Sequence, residues 1–223
     1  MAHRQPRHNS PSTPGVAHTM RTIMTQAQRV ATTDLPTRYG SFTMHVYQSN
    51  GKEHVALTVG PIDDGAPVLV RLHSECLTGD VFGSHRCDCG EQLAHSLQVV
   101  QHHGCGVLLY LRQEGRGIGL ANKIRAYALQ DRGLDTVDAN LALGLPPDMR
   151  DYGDAAAMLA DLGLKQVRLL TNNPLKIAGL EAHNIDVVER LPMTITPHAD
   201  NLHYLETKRE RMGHLLPLFT ATH

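Results

Sequence analysis

The chain has 223 residues, of which 41% are hydrophobic, and carries a formal net charge of −1 with a pI of about 6.9. It is long enough to bury a hydrophobic core, and its balanced charge excludes an overall attraction to nucleic acid or to an anionic membrane. No apolar run approaches the length of a membrane span, and no hydrophobic segment follows the N-terminal charges to form a signal peptide. We therefore expect a cytoplasmic protein with reduced thiols and without nucleic-acid or membrane partners.

The first 28 residues differ in composition from the rest of the chain. They are rich in Pro, Ser, Thr and His, and no acidic residue occurs before Asp34. This composition predicts a disordered tail over residues 1–28. A transit peptide would share the lack of acidic residues, but the segment forms no convincing amphipathic helix. We predict one domain over residues 29–217 and a short C-terminal tail over 218–223.

Strands are predicted first along the domain. The segments SFTMHVY, HVALTVG and PVLVRLHS are short apolar runs bounded by Gly, Pro, Asp or Asn. Helices and strands then alternate. The predicted helices are CGEQLAHSLQVVQHHG, GLANKIRAYALQDRG, DAAAMLADLG, a segment opened by Asn173 and Pro174, and HYLETKRERMGHLL, and the predicted strands are GVLLYLRQ, QVRLLTN and IDVVERL. The pattern predicts a single α/β domain, with a mixed sheet whose β-rich N-terminal part is followed by βα units.

Three of the four cysteines lie in HSECLTGDVFGSHRCDCGEQ, as Cys76, Cys87 and Cys89. Clustered thiols in a reducing compartment more often bind a metal than form disulfides. Zinc held by three protein ligands keeps a fourth position for water, which is typical of a catalytic site. Alternatively, His73 or His85 supplies a fourth ligand and the metal is purely structural.

A zinc deaminase is a second interpretation of the same stretch. His73 and Glu75 form the H-x-E half of the deaminase motif. The downstream P-C-x-x-C half is missing, because the later cysteines form CDC without a preceding proline. The sequence therefore disfavours a deaminase.

A glycine-rich turn opens the helix in RQEGRGIGLANKIRAYAL. Gly115, Gly117 and Gly119 follow a predicted strand, where backbone N–H groups and the helix dipole can hold an anion. The turn matches neither the dinucleotide fingerprint nor the P-loop, so a simple flexible turn is an equal alternative. Helical spacing places four side chains on one face, namely Arg116, Leu120, Lys123 and Tyr127.

Two further stretches carry polar candidates. Asp148 and Arg150 follow two prolines in LPPDMRDY, where such a pair is usually a solvated surface ion pair. In TNNPLK, Thr171 ends a predicted strand and Lys176 lies in the first turn of the next helix. Ligands of open α/β sheets favour the carboxyl ends of strands, and a cation in a first helical turn is more favourable when an anion is bound there.

Taken together, these stretches resemble the GTP cyclohydrolase II family. The similar segments, in order, are RLHSECLTGDVFGSHRCDCGEQL, RQEGRGIGLANKIRAYALQD, DTVDAN, DMRDY, RLLTNNPLK and YLETKRERMGHL. They extend from about residue 30 to about residue 216, so the resemblance covers nearly all of the chain except its tails.

The resemblance implies a hydrolase of the first step of riboflavin biosynthesis. The family converts GTP to 2,5-diamino-6-(5-phosphoribosylamino)pyrimidin-4(3H)-one and releases formate and pyrophosphate. One zinc per subunit is expected on Cys76, Cys87 and Cys89, Mg²⁺ on the triphosphate, and a homodimer as the assembly. The implied GTP-binding residues are Arg71, Leu72, His73, Ser74, Glu75, Gln92, Glu114, Gly115, Arg116, Thr136, Thr171 and Lys176.

Three catalytic residues follow from the same resemblance. Tyr127 is expected to assist hydrolysis of the guanine imidazole ring by donating or relaying a proton. Arg150 is expected to act as a nucleophile toward the α-phosphate, with Asp148 as proton acceptor. A guanidinium keeps its proton below a pH of about 12, so electrostatic stabilisation by Arg150, oriented by Asp148, is the chemically milder alternative.

Two other functions were weighed against this one. The pterin-forming cyclohydrolase also acts on GTP but keeps the triphosphate, and none of its motif pattern occurs here. A nucleotide-binding protein in which zinc is purely structural, and which catalyses no reaction, would not need Tyr127, Asp148 and Arg150. We also expect no dihydroxybutanone phosphate synthase activity, because only about 30 residues precede the matched segments.

Overall fold

The computed structural model describes residues 26–195 and 201–217, without the side chain of His203. The predicted tails lie outside the described residues, except for residues 26–28, and Gln28 already begins the first strand. Residues 29–195 and 201–217 belong to the predicted domain.

One mixed sheet of seven strands organises the described chain. Its strands are β1 (Gln28–Thr37), β2 (Gly40–Ser49), β3 (Lys52–Val59), β4 (Val68–Ser74), β5 (Gly106–Leu111), β6 (Gln166–Leu170) and β7 (Asp186–Leu191). Their order in the sheet is β1-β2-β3-β5-β4-β6-β7. The pairs from β1 to β5 are antiparallel, and those from β5 through β4 and β6 to β7 are parallel. The predicted fold class, a mixed sheet with a β-rich first part and βα units behind it, is confirmed.

Helices follow most of the strands. They are α1 (Leu77–Asp80), α2 (Cys89–His103), α3 (Leu120–Gln130), α4 (Thr136–Ala142), α5 (Gly153–Asp161), α6 (Pro174–Glu181) and α7 (Leu202–Met212), and a short 3₁₀ turn spans Glu114–Gly117. No helix in the described ranges is both long and apolar enough to cross a membrane.

The central strands β4 and β5 are buried on both faces, which explains why they are largely apolar. Successive side chains of a strand point to opposite faces, so β4 supplies residues to two cores. One core contains Val70, Leu109, Met158, Leu169 and Leu180. The other contains Phe42, Val59, Leu69, Val100 and Leu170. Burial of one leucine side chain stabilises the fold by about 2 kcal/mol, so these two layers fix the position of the strand ends.

Local signals for helix ends were predicted correctly. α2 ends at Gly104, whose φ of 76° is the left-handed conformation that glycine adopts without a steric penalty. α6 begins with Pro174, and the side chain of Asn173 caps it by accepting a hydrogen bond from the N–H of Leu175 at 3.0 Å.

Besides the one-turn helix α1 and the 3₁₀ turn, two longer elements were not predicted from the sequence. β1 is mostly exposed at the sheet edge and has no apolar alternation, so only its pairing with β2 reveals it. α4 is a short helix capped by Asp135, whose Oδ1 accepts hydrogen bonds from the N–H groups of Val137 and Asp138. The capping signal DTVD was readable in the sequence.

A buried histidine in the antiparallel half should make stability depend on pH. The ring of His45 hydrogen-bonds Thr32 at Nδ1 and Thr58 at Nε2, both at 3.1 Å, and burial together with Arg29 lowers its pKa below the ordinary 6.5. The unfolded chain therefore binds a proton before the folded chain does, and stability present above pH 6.5 is lost as the pH falls.

His45→Gln should flatten that pH dependence. The amide preserves a hydrogen bond with one threonine but cannot be protonated, so this residue's share of the slope, at most about 1.4 kcal/mol per pH unit, should disappear. Urea unfolding between pH 5 and 7 measures the slope. His73 and His214 also have lowered pKa values and should leave a residual slope. An unchanged slope in the variant would contradict the assignment.

Candidate active site

A cavity of about 1100 Å³, including its open mouth, lies beyond the carboxyl ends of β4, β5 and β6. This is the edge at which ligands bind in open α/β sheets. The predicted site residues that line the cavity are Arg71, His73, Ser74, Glu75, Cys76, Cys87, Cys89, Gln92, Glu114, Gly115, Arg116, Tyr127, Thr136, Arg150, Thr171 and Lys176. Segments that are far apart in sequence therefore form one site.

Leu72 is placed differently from the other predicted substrate residues. Its side chain is fully buried in the hydrophobic core and does not line the cavity. Its carbonyl oxygen accepts a hydrogen bond from Lys176 Nζ at 2.6 Å. Leu72 therefore acts on the site through its backbone, because alternation along β4 turns its side chain away.

Cys76, Cys87 and Cys89 bring their sulfur atoms together at one end of the cavity. All three lie within 4.8 Å of one another, and the sulfurs of Cys76 and Cys87 are 3.6 Å apart. A tetrahedral zinc ion with Zn–S bonds of about 2.3 Å holds its sulfurs about 3.8 Å apart. The thiols are free rather than bridged, and this soft donor set fits zinc.

The short helix α1 packs directly against these thiols because it contains Gly79. A Cβ atom at this position would lie 2.9 Å from Cys89 Cβ and 3.0 Å from Cys87 Sγ. Gly90 of α2 packs against the backbone of α1, because a Cβ atom at position 90 would lie 2.4 Å from the carbonyl oxygen of Gly79. The two glycines let α1 and α2 close around the cluster.

Neither histidine that was considered as a fourth ligand joins the thiol cluster. Among the described residues, the group of neighbouring ligand atoms consists of the three cysteines. His73 Nε2 instead donates to the carboxylate of Asp80 at 3.0 Å. The geometry does not support His73 or His85 as a fourth ligand, and the cluster faces the cavity rather than a closed interior.

Asp80 was not identified from the sequence, although it organises this end of the site. Its carboxylate accepts hydrogen bonds from His73, from the backbone N–H of Cys76 at 2.9 Å and from the hydroxyl of Tyr110 at 2.8 Å. The rings of His73 and Tyr110 are also stacked at 5.5 Å. One buried carboxylate thus orients a cavity histidine and the turn that carries the first thiol.

Lys123 connects the thiols with the glycine-rich turn. Its Nζ donates to Cys76 Sγ at 3.0 Å, to Thr78 Oγ1 at 2.9 Å and to Glu114 Oε1 at 2.9 Å. The sequence placed this residue on one helical face with Tyr127, and both line the cavity. The Lys123 ammonium also lies 5.7 Å from the ring centre of Tyr127, whose pKa is raised by burial.

Two buried cations that line the cavity, Arg71 and Lys176, have no carboxylate partner among the described residues. Arg71 donates to the carbonyl of Leu170 at 3.0 Å and to Gln92 Oε1 at 2.6 Å, and Lys176 donates to a carbonyl. In the described part of the chain, neither cation forms a salt bridge. Desolvation by burial lowers the pKa of Arg71 to about 10 and that of Lys176 well below its ordinary value. Such a region should bind an anion, which would supply the missing negative charge.

Arg150 and Asp148 form a buried ion pair rather than the solvated pair that the sequence alone suggested. Arg150 Nε donates to Asp148 Oδ1 at 2.9 Å, and Nη2 donates to Oδ2 at 2.5 Å. The side chains are only 9% and 16% exposed. Burial opposes ionisation of both groups, but their mutual hydrogen bonds dominate, so the pKa of Arg150 is raised and that of Asp148 is lowered.

Gly115 and Arg116 of the glycine-rich turn both line the cavity. The N–H groups of Gly117 and Gly119 donate to carbonyls of the same turn, and that of Gly115 donates to the carboxylate of Glu114. These three donors are paired within the turn, and anion binding by the turn stays a prediction. Arg116 has a φ of 61°, which is a left-handed conformation of the kind concentrated at functional sites.

The turn also fixes the loop that carries the ion pair. The N–H of Met149 donates to the carbonyl of Arg116 at 3.0 Å, and a Cβ at Gly117 would lie 3.1 Å from Met149 Cβ. Glycine at position 117, with a φ of 91°, permits this approach. Arg116 and Arg150 are thereby held on neighbouring segments of the cavity wall.

The remaining predicted residues make local contacts in the cavity wall. Ser74 donates to Gln113 Oε1 at 3.1 Å, and Glu75 pairs with Arg112 at 3.1 Å. The hydroxyl oxygen of Thr171 accepts a hydrogen bond from the backbone N–H of Asn173 at 3.0 Å. Thr136 is the first residue of α4. These contacts place the polar groups without using all of their hydrogen-bonding capacity.

Fold and site together define an α/β protein with a cluster of three thiols beside a cavity that buried cations line. The family model of GTP cyclohydrolase II matches residues 28–192. The chain belongs to this family. The chain is 57% identical over 196 residues to the riboflavin biosynthesis protein RibBA of Bacillus cereus. These aligned residues cover 87% of this chain and 49% of that protein.

Other relatives differ in how much of their length the chain spans. RibBA of Nocardia farcinica is 59% identical over 192 residues, with 85% of this chain and 46% of that protein covered. The chain thus spans about half the length of the RibBA proteins that it matches. GTP cyclohydrolase-2 of Neisseria meningitidis is 57% identical over 188 residues, with 84% of this chain and 95% of that protein covered.

Proposed function

We propose that this protein is a GTP cyclohydrolase II that catalyses the first step of riboflavin biosynthesis. It hydrolyses GTP to 2,5-diamino-6-(5-phosphoribosylamino)pyrimidin-4(3H)-one and releases formate and pyrophosphate. The observation that carries the proposal is one cavity lined both by the three thiols and by Arg71 and Lys176, buried cations without a carboxylate partner among the described residues. The name of the Neisseria relative, which the chain matches over 95% of its length, supports the same activity.

Cys76, Cys87 and Cys89 would hold one zinc ion per subunit. Bound there, zinc would supply Lewis-acid activation of water for addition at C8 of guanine and for cleavage of the resulting formamide. Burial keeps the hydroxyl of Tyr127 protonated at neutral pH, because its pKa is raised. Tyr127 can therefore donate a proton to the ring nitrogen that becomes the leaving amine.

The cations that line the cavity would bind the triphosphate, with Mg²⁺ accompanying it. Arg71, Arg116 and Lys176 supply positive charge where negative charge develops as pyrophosphate leaves. A polyphosphate neutralises buried cations that have no carboxylate partner in the described chain, so substrate and site stabilise each other.

For Arg150 the geometry supports the electrostatic role over the nucleophilic one. A guanidinium that donates two hydrogen bonds to one carboxylate is held protonated, and its pKa is raised further. A protonated guanidinium has no available lone pair for attack on phosphorus. Asp148 then orients Arg150 toward the α-phosphate.

The assembly and the location are proposed on the family relationship. We propose a homodimer that acts in the cytoplasm, where free thiols such as these persist.

The decisive test is one time course of the zinc-loaded protein with GTP and Mg²⁺. Formate, pyrophosphate and the nucleotide product should appear in equal amounts, and ATP should yield no formate because its ring lacks the 2-amino-6-oxo pattern. Pyrophosphate without formate would show that only the phosphate chemistry operates. Binding of GTP without any turnover would replace the proposal with a nucleotide-binding module.

A further inference from the structure

Helix α7 lies beyond residue 192, where the match to the family model ends, but it forms one wall of the cavity. Tyr204 and Lys208 of α7, together with His214 just after it, line the same space as Arg71 and Arg116. None of the site residues predicted from the sequence lies in this helix.

Lys208 forms a buried ion pair with a residue of the thiol motif. Its Nζ lies 2.6 Å from Asp88 Oδ1, and the two side chains are 9% and 3% exposed. Asp88 stands between Cys87 and Cys89 in the CDC motif. Because Lys208 is neutralised by this carboxylate, it is not a free cation for the triphosphate, unlike Lys176.

A chain of hydrogen bonds continues from this ion pair to the substrate side. Asp88 Oδ2 accepts from Gln92 Nε2 at 2.5 Å, and Gln92 Oε1 accepts from Arg71 Nη2 at 2.6 Å. These two contacts fix which way the Gln92 amide points, since its nitrogen faces a carboxylate and its oxygen faces a guanidinium. The position of Arg71 thus depends on that of Asp88.

Tyr204 of α7 contacts Lys208 and also a second cation of the cavity, Arg116. The Lys208 ammonium lies 4.3 Å from the ring centre of Tyr204, and the Arg116 guanidinium lies 5.8 Å from it. Arg116 Nη2 also donates to the Tyr204 hydroxyl at 3.5 Å. One aromatic ring therefore contacts two cations through cation–π interactions.

We propose that α7 is part of the active site and that Lys208 is a positioning residue, which acts through Asp88 and Gln92 to hold Arg71 in place for the triphosphate. This inference rests on the proposed function, because it names the triphosphate as the ligand. If Lys208 is lost, Asp88 becomes a buried carboxylate without its cation. Asp88 then attracts Arg71 and Gln92 toward itself and away from the substrate.

The test compares Lys208→Met, Lys208→Arg and Arg209→Met in the full-length, zinc-loaded protein. Arg209 is the matched control, because it is the next residue of the same helix, is not among the residues that line the cavity and forms an ion pair with the exposed Glu210. For Lys208→Met we expect KM for GTP to rise about tenfold or more with a smaller change in kcat, and inorganic pyrophosphate to bind correspondingly more weakly. Lys208→Arg should recover most of the affinity, and Arg209→Met should match the unmodified protein.

A double variant separates positioning from folding. Asp88→Asn combined with Lys208→Met removes both buried charges, so its melting temperature should recover relative to Lys208→Met alone. KM should nevertheless stay raised, because Gln92 has lost its carboxylate partner. Recovery of both the melting temperature and KM, or a Lys208→Met variant indistinguishable from Arg209→Met, would overturn the inference.

If the protein does not hydrolyse GTP, the experiment gives a result different from that of a failed positioning role. In that case the unmodified protein itself would release no formate from GTP, whatever the behaviour of the variants. Weakened pyrophosphate binding in Lys208→Met alone would then still support the positioning role toward a polyphosphate. Equal pyrophosphate binding by all variants would reject it.

Discussion

Cys87→Ser is expected to abolish the release of formate, with a loss of at least about a thousandfold, and to reduce bound zinc from one per subunit to nearly none. Serine is a much weaker zinc ligand than a thiolate, because its hydroxyl is not ionised at neutral pH and its oxygen is harder than sulfur. Cys87 is buried at the centre of the cluster, 3.6 Å from Cys76 sulfur to sulfur, so no alternative ligand can replace it easily. Elemental analysis and a formate assay measure the two effects.

Cys105→Ser is the matched control for this experiment. Cys105 precedes β5, does not line the cavity, and donates from its thiol to the carbonyl of Pro61 at 2.7 Å. Zinc content and formate release should therefore stay near those of the unmodified protein. Full zinc occupancy in Cys87→Ser would contradict the assignment of the thiols, and full formate release without zinc would contradict the role of the metal.

The same variant should separate the two halves of the reaction. Three cations proposed to act on the triphosphate, Arg116, Lys176 and Arg150, form hydrogen bonds with partners other than the thiols. Some release of pyrophosphate should therefore persist in Cys87→Ser. Loss of both products at once, in a protein with an unchanged melting temperature, would mean that the two steps share the metal site.

The sequence was sufficient for the fold class and for the main parts of the site, because both depend on local patterns. Apolar runs of strand length, the cap at Asn173 and the stop at Gly104 are each determined by a few neighbouring residues. The thiols could be found because a single residue separates Cys87 from Cys89 and because their chemistry is specific. The resemblance then assigned the polar residues at the strand ends.

Residues that act only through distant contacts could not be found in this way. Asp80 has meaning only because the fold brings His73 and Tyr110 to it from two strands. Lys208 is one of several basic residues in a helix, and no local feature shows that it is the one that becomes buried beside Asp88. Pairing across 120 residues of sequence is a tertiary property.

The glycine-rich turn shows the limit of a composition pattern. Three glycines before a helix predicted exposed N–H groups, but the turn pairs those donors internally. Gly117 is also needed for close packing against Met149. A composition pattern locates such a turn, but it does not show where the hydrogen bonds of its backbone go.

Lys176→Met is expected to weaken GTP binding by about a hundredfold, or about 2.7 kcal/mol, without destabilising the fold. Lys176 is 6% exposed, and the pKa of its ammonium is lowered first by burial and then by the cations Arg71 and Arg150. Methionine has a similar shape and no charge to desolvate. It loses one hydrogen bond to a carbonyl, about 1 kcal/mol, but it also removes repulsion between buried cations.

The pH dependence of stability gives an independent readout for this variant. Because the folded-state pKa of Lys176 is below its unfolded value of about 10.5, the unfolded chain binds the proton first, and stability falls as the pH decreases through that window. Lys176→Met should lose this dependence. Lys165→Met is the matched control, since Lys165 is an exposed lysine that does not line the cavity.

Binding of GTP should reverse the shift at Lys176. A phosphate beside the ammonium favours its charged form, so binding at alkaline pH should take up a proton, and calorimetry in buffers of different ionisation enthalpy should detect it. In Lys176→Met this uptake should disappear together with the affinity. A variant that loses affinity but still takes up the proton would assign the titration to another cavity group. A variant that is less stable yet binds GTP normally would show that Lys176 supports the fold rather than the ligand.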